Sequence, residues 1–143
     1  MQKIRHIIGD TYRQHRYLLD ALCFTEAEKH QFTKVMNCEM DDVTAQDALK
    51  NLSYYLHHYW RKRTILLLDE YDTPMQEAYV YGYWDEFTSF IRGLFNSAFK
   101  TNPYLERAVM TGITRVSKES VFSDLNNLKV ITITSDEYAD CFG

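Results

Sequence analysis

The segment ILLLDEYDTP, residues 65–74, constrains this chain more than any other: an uninterrupted aliphatic run that ends abruptly in acids. A run without polar alternation is the pattern of a strand buried on both faces by flanking helices, which places it centrally in a parallel sheet. Ligands of open α/β sheets gather at the carboxyl ends of the strands. This strand delivers Asp69, Glu70 and Asp72 to such an end.

The flanking sequence supplies the helices and a partner strand. Ile4, Ile7, Ile8, Tyr12, His15, Leu18, Leu19 and Leu22 recur at three- and four-residue steps, predicting an amphipathic helix over residues 2–22. Thr25 followed by Glu28 fits a capping box for a second, shorter helix ending near Asn37. Thr44 with Asp47 is expected to cap a third, which carries Ala48, Leu49, Leu52, Tyr55, Leu56 and Tyr59 on one face and closes at Arg61, Lys62 and Arg63. Helical spacing returns from Tyr83 to about Lys100 and stops before Pro103. Residues 105–110 read as a second strand, residues 121–128 as a loop or short helix, and residues 129–134 as a third strand. The order predicts an α/β fold, a parallel sheet of few strands flanked by helices, with no domain boundary inside the chain.

Composition narrows the function classes. A chain of 143 residues, 45% hydrophobic, suits one compact domain and excludes intrinsic disorder. The net charge of −4 gives no direct signal for nucleic acid, although it leaves room for a local basic patch. Cys23, Cys38 and Cys141 form no Cys-x-x-Cys pair, and the histidines lack metal spacing, so neither a disulfide framework nor a zinc site is expected. The N-terminus lacks the apolar core of a signal peptide, and no apolar run is long enough to span a bilayer, which predicts a cytoplasmic protein without a membrane partner.

Four aliphatics followed by Asp-Glu is the Walker B pattern. Phosphoryl transfer from ATP needs one carboxylate to hold Mg2+, directly or through its waters, and a second group to orient the attacking water. Asp69 fits the first role and Glu70 the second, with Asp72 a further metal candidate. Thr111 ends the strand expected beside this one, where a polar side chain can sense the γ-phosphate, and Arg115 and Lys118 follow in a polar loop able to answer phosphate charge. DEYDTP together with GITRVSKESVFSDLNNL resembles the AAA-ATPase-like family of bacterial proteins, which carry a P-loop ATPase domain usually followed by a nuclease-like domain of the restriction-endonuclease superfamily. The likeness spans residues 44–143. It implies ATP and Mg2+ as cofactors, with Asp69 and Glu70 as the Walker B acids, Thr111 at a sensor position, and Arg115 and Lys118 in the family's signature loop.

One departure matters. The five glycines are scattered and no Gly-Lys dipeptide occurs, so no loop is present to cradle the β- and γ-phosphates. The chain therefore reads as an incomplete P-loop NTPase-like core, an internal portion of a longer ATPase or a truncated descendant, binding nucleotide weakly if at all on its own and expected to be either a marginally stable monomer or self-associated through open strand edges. Two rivals stand beside this. One is a metal-dependent nuclease built on Asp69, Glu70, Asp72 and Lys118. The other is a non-catalytic interaction module docking partners through an aromatic helix with Tyr79, Tyr81, Tyr83, Trp84 and Phe87.

Overall fold

The computed structural model describes residues 2–113, 122, 125, 128–132 and 135. Helix α1 (Gln2–Gln14) leads through a 3-10 turn (Arg16–Asp20) to α2 (Glu26–Met36) and α3 (Asp42–Trp60). Strand β1 (Thr64–Leu68) follows, then α4 (Thr73–Val80), α5 (Trp84–Phe95) with a π-helical turn (Asn96–Lys100), and β2 (Leu105–Met110). The α/β expectation holds: β1 and β2 pair in parallel, Leu66 opposite Ala108 and Leu68 opposite Met110, with a register shift between Thr64 and Ile65.

Local chemistry accounts for most element ends. Thr25 and Glu28 form the anticipated reciprocal capping box of α2, and Asn37 caps its C-terminus. Helix α3 starts three residues earlier than Thr44 implies, because the Asp41 carboxylate accepts the Thr44 amide at 2.8 Å and so takes the cap itself. Its C-cap is Arg61 in the left-handed region, φ 56°. The stripe predicted for residues 2–22 is not one helix. At His15 the backbone leaves α-geometry and tightens into the 3-10 turn, which carries Leu18 into the core and leaves Leu22 fully exposed.

Helix α4 is an addition to the sequence reading. Pro74 in its first turn is pre-set for helical φ, and Met75 and Ala78, three apart, bury one side. Gly82 at φ 76° separates it from α5, so the aromatic segment 79–87 is not one helix but the end of α4, a turn at residues 81–83 and the start of α5. Tyr79 and Tyr81 stand out in solvent, and Phe87 alone of that set is buried.

The core is largely aromatic. Tyr12 packs on Phe32 with ring centroids 4.6 Å apart and donates its hydroxyl to the Ala48 carbonyl at 2.7 Å, tying α1 to α3. Phe24, Phe32 and Tyr55 meet edge-on beneath α2. Phe122 stacks on Phe95 at 5.7 Å and meets Tyr71 edge-on at 5.5 Å, so the chain beyond β2 returns to the core. One expectation fails. The strands are not buried on both faces: Leu66, Leu68, Ala108 and Met110 turn toward the helices, whereas Ile65 is 60% and Leu67 75% exposed, with Val109 beside them. Helix α3 and the π-helical turn cover one face only. Among the described residues, 129–132 do not extend the sheet, which consists of β1 and β2. The remainder of that predicted strand and most of residues 121–128 lie outside the described residues.

Candidate functional site

Parallel register fixes the geometry at the carboxyl end of the sheet. Leu68 lies opposite Met110, so the next residues, Asp69 and Thr111, also face each other. The ladder runs on past both strands: the Thr111 amide donates to the Leu68 carbonyl at 2.8 Å, and the Tyr71 amide to the Thr111 carbonyl at 3.0 Å. Side chains alternate along a strand, which sets Asp69 on the open face with Ile65 and Leu67, and Thr111 with Val109.

There the Thr111 hydroxyl donates to Asp69 Oδ1 in a short hydrogen bond. The Glu70 amide donates to the same Asp69 oxygen at 3.1 Å, and reaches Thr111 Oγ1 at 3.4 Å. Glu70 makes these contacts in the left-handed region, φ 52°, a conformation that costs a non-glycine residue roughly 1–2 kcal/mol. Extended backbone thus stops at Asp69, one residue past β1, and the left-handed residue breaks the alternation that would otherwise send the next side chain to the opposite face. Asp69, Glu70 and Thr111 are all exposed.

Asp72 behaves differently. It is 2% exposed, and its Oδ2 accepts from Gln76 Nε2 at 3.2 Å. Its carbonyl accepts from the Met75 and Gln76 amides, opening α4. A Cβ added at Gly112 would stand 2.6 Å from Asp72 Oδ1 and 2.8 Å from the Tyr71 ring, so the residue after Thr111 must be small. The structure brings Asp69, Thr111 and the Glu70 backbone together on the surface and places Asp72 beneath Gly112. Arg115 and Lys118 lie outside the described residues.

A carboxylate with one oxygen held by Thr111 and the Glu70 amide is a hard oxygen donor, the type Mg2+ takes one or two of while keeping several waters. Among the described residues no three His, Cys, Asp or Glu side chains converge to hold a metal ion. The three-carboxylate centre of the nuclease rival is therefore not formed by Asp69, Glu70 and Asp72. Gly112 and Gln76 are what reading the strand end alone missed; the signals were a glycine directly after the strand's polar terminus and a glutamine one helical turn beyond Asp72.

Among the described residues no helix is long and apolar enough to cross a membrane. Comparison with the curated proteins and with the solved structures finds no match. A family model described as a predicted AAA-ATPase, AAA-ATPase-like, matches residues 5–122. That span takes in both acidic and threonine strand ends, and it reaches back through α1 and α2, well before residue 44, where the motif likeness begins. This chain belongs to the AAA-ATPase-like family.

Proposed function

We propose that this chain carries the acidic, hydrolytic side of an ATP site, with Asp69 and Glu70 as Walker B acids and Thr111 as the sensor of the γ-phosphate. The hydrogen bond from Thr111 to Asp69 across the ends of two parallel strands carries the reading, because it sets a metal-type carboxylate and a phosphate-type hydroxyl on one exposed surface. When bound, Mg2+ would neutralise phosphate charge there. Asp69 would hold the cation's water shell, and the Thr111 hydroxyl, which donates its one proton to Asp69 here, would turn that proton to the terminal phosphate when nucleotide is bound. The Glu70 side chain, released from strand alternation by its left-handed backbone, is free to align an attacking water. The metal role stays with Asp69, and Asp72 is read as the buried anchor that holds the turn under Gly112. Arg115 and Lys118 complete the proposal as phosphate-facing cations. A cytoplasmic, bacterial setting belongs to the same proposal, supported by the free thiols of Cys23 and Cys38.

No Gly-Lys dipeptide is present to add backbone phosphate contacts, so nucleotide affinity is expected to be weak and the test must be site-specific. Millimolar Mn2+·ATP, with Mn2+ as a paramagnetic stand-in, should broaden the amide resonances of residues 68–71 and 111–112, and Asp69→Asn should abolish this. Broadening elsewhere, or unchanged in Asp69→Asn, refutes the proposal. The interaction-module reading draws support from Tyr79, Val80 and Tyr81, each about three-quarters exposed at the α4–α5 turn.

A further inference from the structure

At the opposite end of α3 from its cap, a second surface has a chemistry that the nucleotide site does not use. Tyr17, Tyr59 and Trp60 form an aromatic trio, with Tyr59 and Trp60 centroids 4.9 Å apart and Tyr17 and Tyr59 5.4 Å apart. Trp60 Nε1 donates to the Tyr17 hydroxyl at 3.2 Å, and His15 Nδ1 lies 3.3 Å from the same oxygen. The indole is held in place, yet Trp60 remains 58% exposed. Arg61, Lys62 and Arg63 follow at once, all exposed, with Arg16 next to Tyr17. None of these four cations takes part in the ion pairs seen among the described residues, such as those of Lys3, Arg5, Arg13 and Lys29.

A helix C-terminus favours cations, which accounts for a basic end to α3. It does not account for a fixed, solvent-facing indole beside them. Burying that ring inward would be favourable, and a lysine in its place would serve the helix terminus equally well. Flat aromatic faces next to uncompensated cations match a ligand that alternates planar rings with negative charge.

We propose that Tyr59, Trp60, Arg61, Lys62 and Arg63 bind single-stranded nucleic acid, with a base stacked on Trp60 and adjacent phosphates held by the three cations. The chain's overall negative charge confines the contact to this patch and makes it short, two or three nucleotides. An acidic peptide would engage the cations and leave the indole unused, which separates the two ligand classes.

The test is fluorescence anisotropy of labelled oligo-dT and oligo-U with the whole chain. Three phosphate contacts on a single strand predict affinity falling roughly 20-fold between 50 and 200 mM salt. Trp60→Ala should weaken binding about fivefold or more, and Trp60→Phe should restore most of it. The triple variant Arg61→Gly, Lys62→Gln, Arg63→Gln should flatten the salt dependence; glycine suits the left-handed backbone at residue 61, and far-UV circular dichroism verifies that each variant is folded. Binding of either oligonucleotide shows which sugar is accepted. Absence of saturable binding at 50 mM salt, equal affinity in Trp60→Ala, or competition by polyglutamate as effective as by oligo-dT would overturn the proposal.

Discussion

Replacing Glu28 by glutamine should destabilise the protein at neutral pH, with an effect that fades as pH falls below the ordinary carboxylate range. The carboxylate accepts three hydrogen bonds: from the Tyr54 hydroxyl at 2.5 Å, and from the Thr25 amide and hydroxyl at 2.7 Å each. These bonds, the Tyr54 one foremost, hold its pKa below the ordinary carboxylate range, and the same hydrogen bond, with burial and the Glu28 charge behind it, pushes Tyr54 up to about 12. A group depressed on folding stabilises the native state above its unfolded pKa, and loses that contribution as pH falls through the folded value. Glutamine can still close the capping box, so Glu28→Gln removes only the charge-assisted part of the three bonds. Partial exposure keeps this to about 1 kcal/mol. Glu28→Ala also opens the box, bringing the loss to about 2 kcal/mol, or roughly 6 °C in Tm for a chain of this size. Urea denaturation of wild type and Glu28→Gln across pH 3 to 7 should give two stability curves that converge at the acid end. Parallel curves, or coincidence at pH 7, would refute the assignment of stability to this ionised cap. Tyr54→Phe should abolish part of the difference between them.

Gly112→Ala forces a methyl group against the buried Asp72 carboxylate and should cost about 1–3 kcal/mol by thermal melting, whereas Gly82→Asn meets open space and only the left-handed backbone strain that asparagine tolerates best, and should cost less, under about 1 kcal/mol. Tyr12→Phe removes the bond to the Ala48 carbonyl and should cost about 1 kcal/mol, whereas Tyr12→Ala empties a fully buried site and should cost about 3–5 kcal/mol, both read by urea denaturation. Leu67→Lys places a charge on the open sheet face; sedimentation should show less self-association and an unchanged melting temperature, and a large loss of stability would mean that the face is covered in solution.

Strand positions and helix type were legible because they rest on local signals: the aliphatic run of β1, the capping box at Thr25 and Glu28, the stop before Pro103. The sequence placed Asp69 and Thr111 each just beyond a strand, and the observed register, Leu68 opposite Met110, brings the two together. What escaped depends on three-dimensional context. The aliphatic content of β1 suggested cover on both sides, yet whether a face is covered is a property of the neighbours, not of the strand. Helix α4 is too short for its periodicity to stand out, and Gly82 divides an aromatic run whose spacing alone looks continuous. The competition between Asp41 and Thr44 for one cap was settled by which oxygen reaches the free amide.

Asp69 and the oily plane of Ile65, Leu67 and Val109 share one side of the same two ribbons. Whatever shields that plane from water must come to rest beside Asp69 and Thr111, bringing its own polar groups into their reach. Shielding and electrostatics at this surface are consequently inseparable: a substitution that alters how the plane is covered also alters the dielectric around the Asp69 carboxylate.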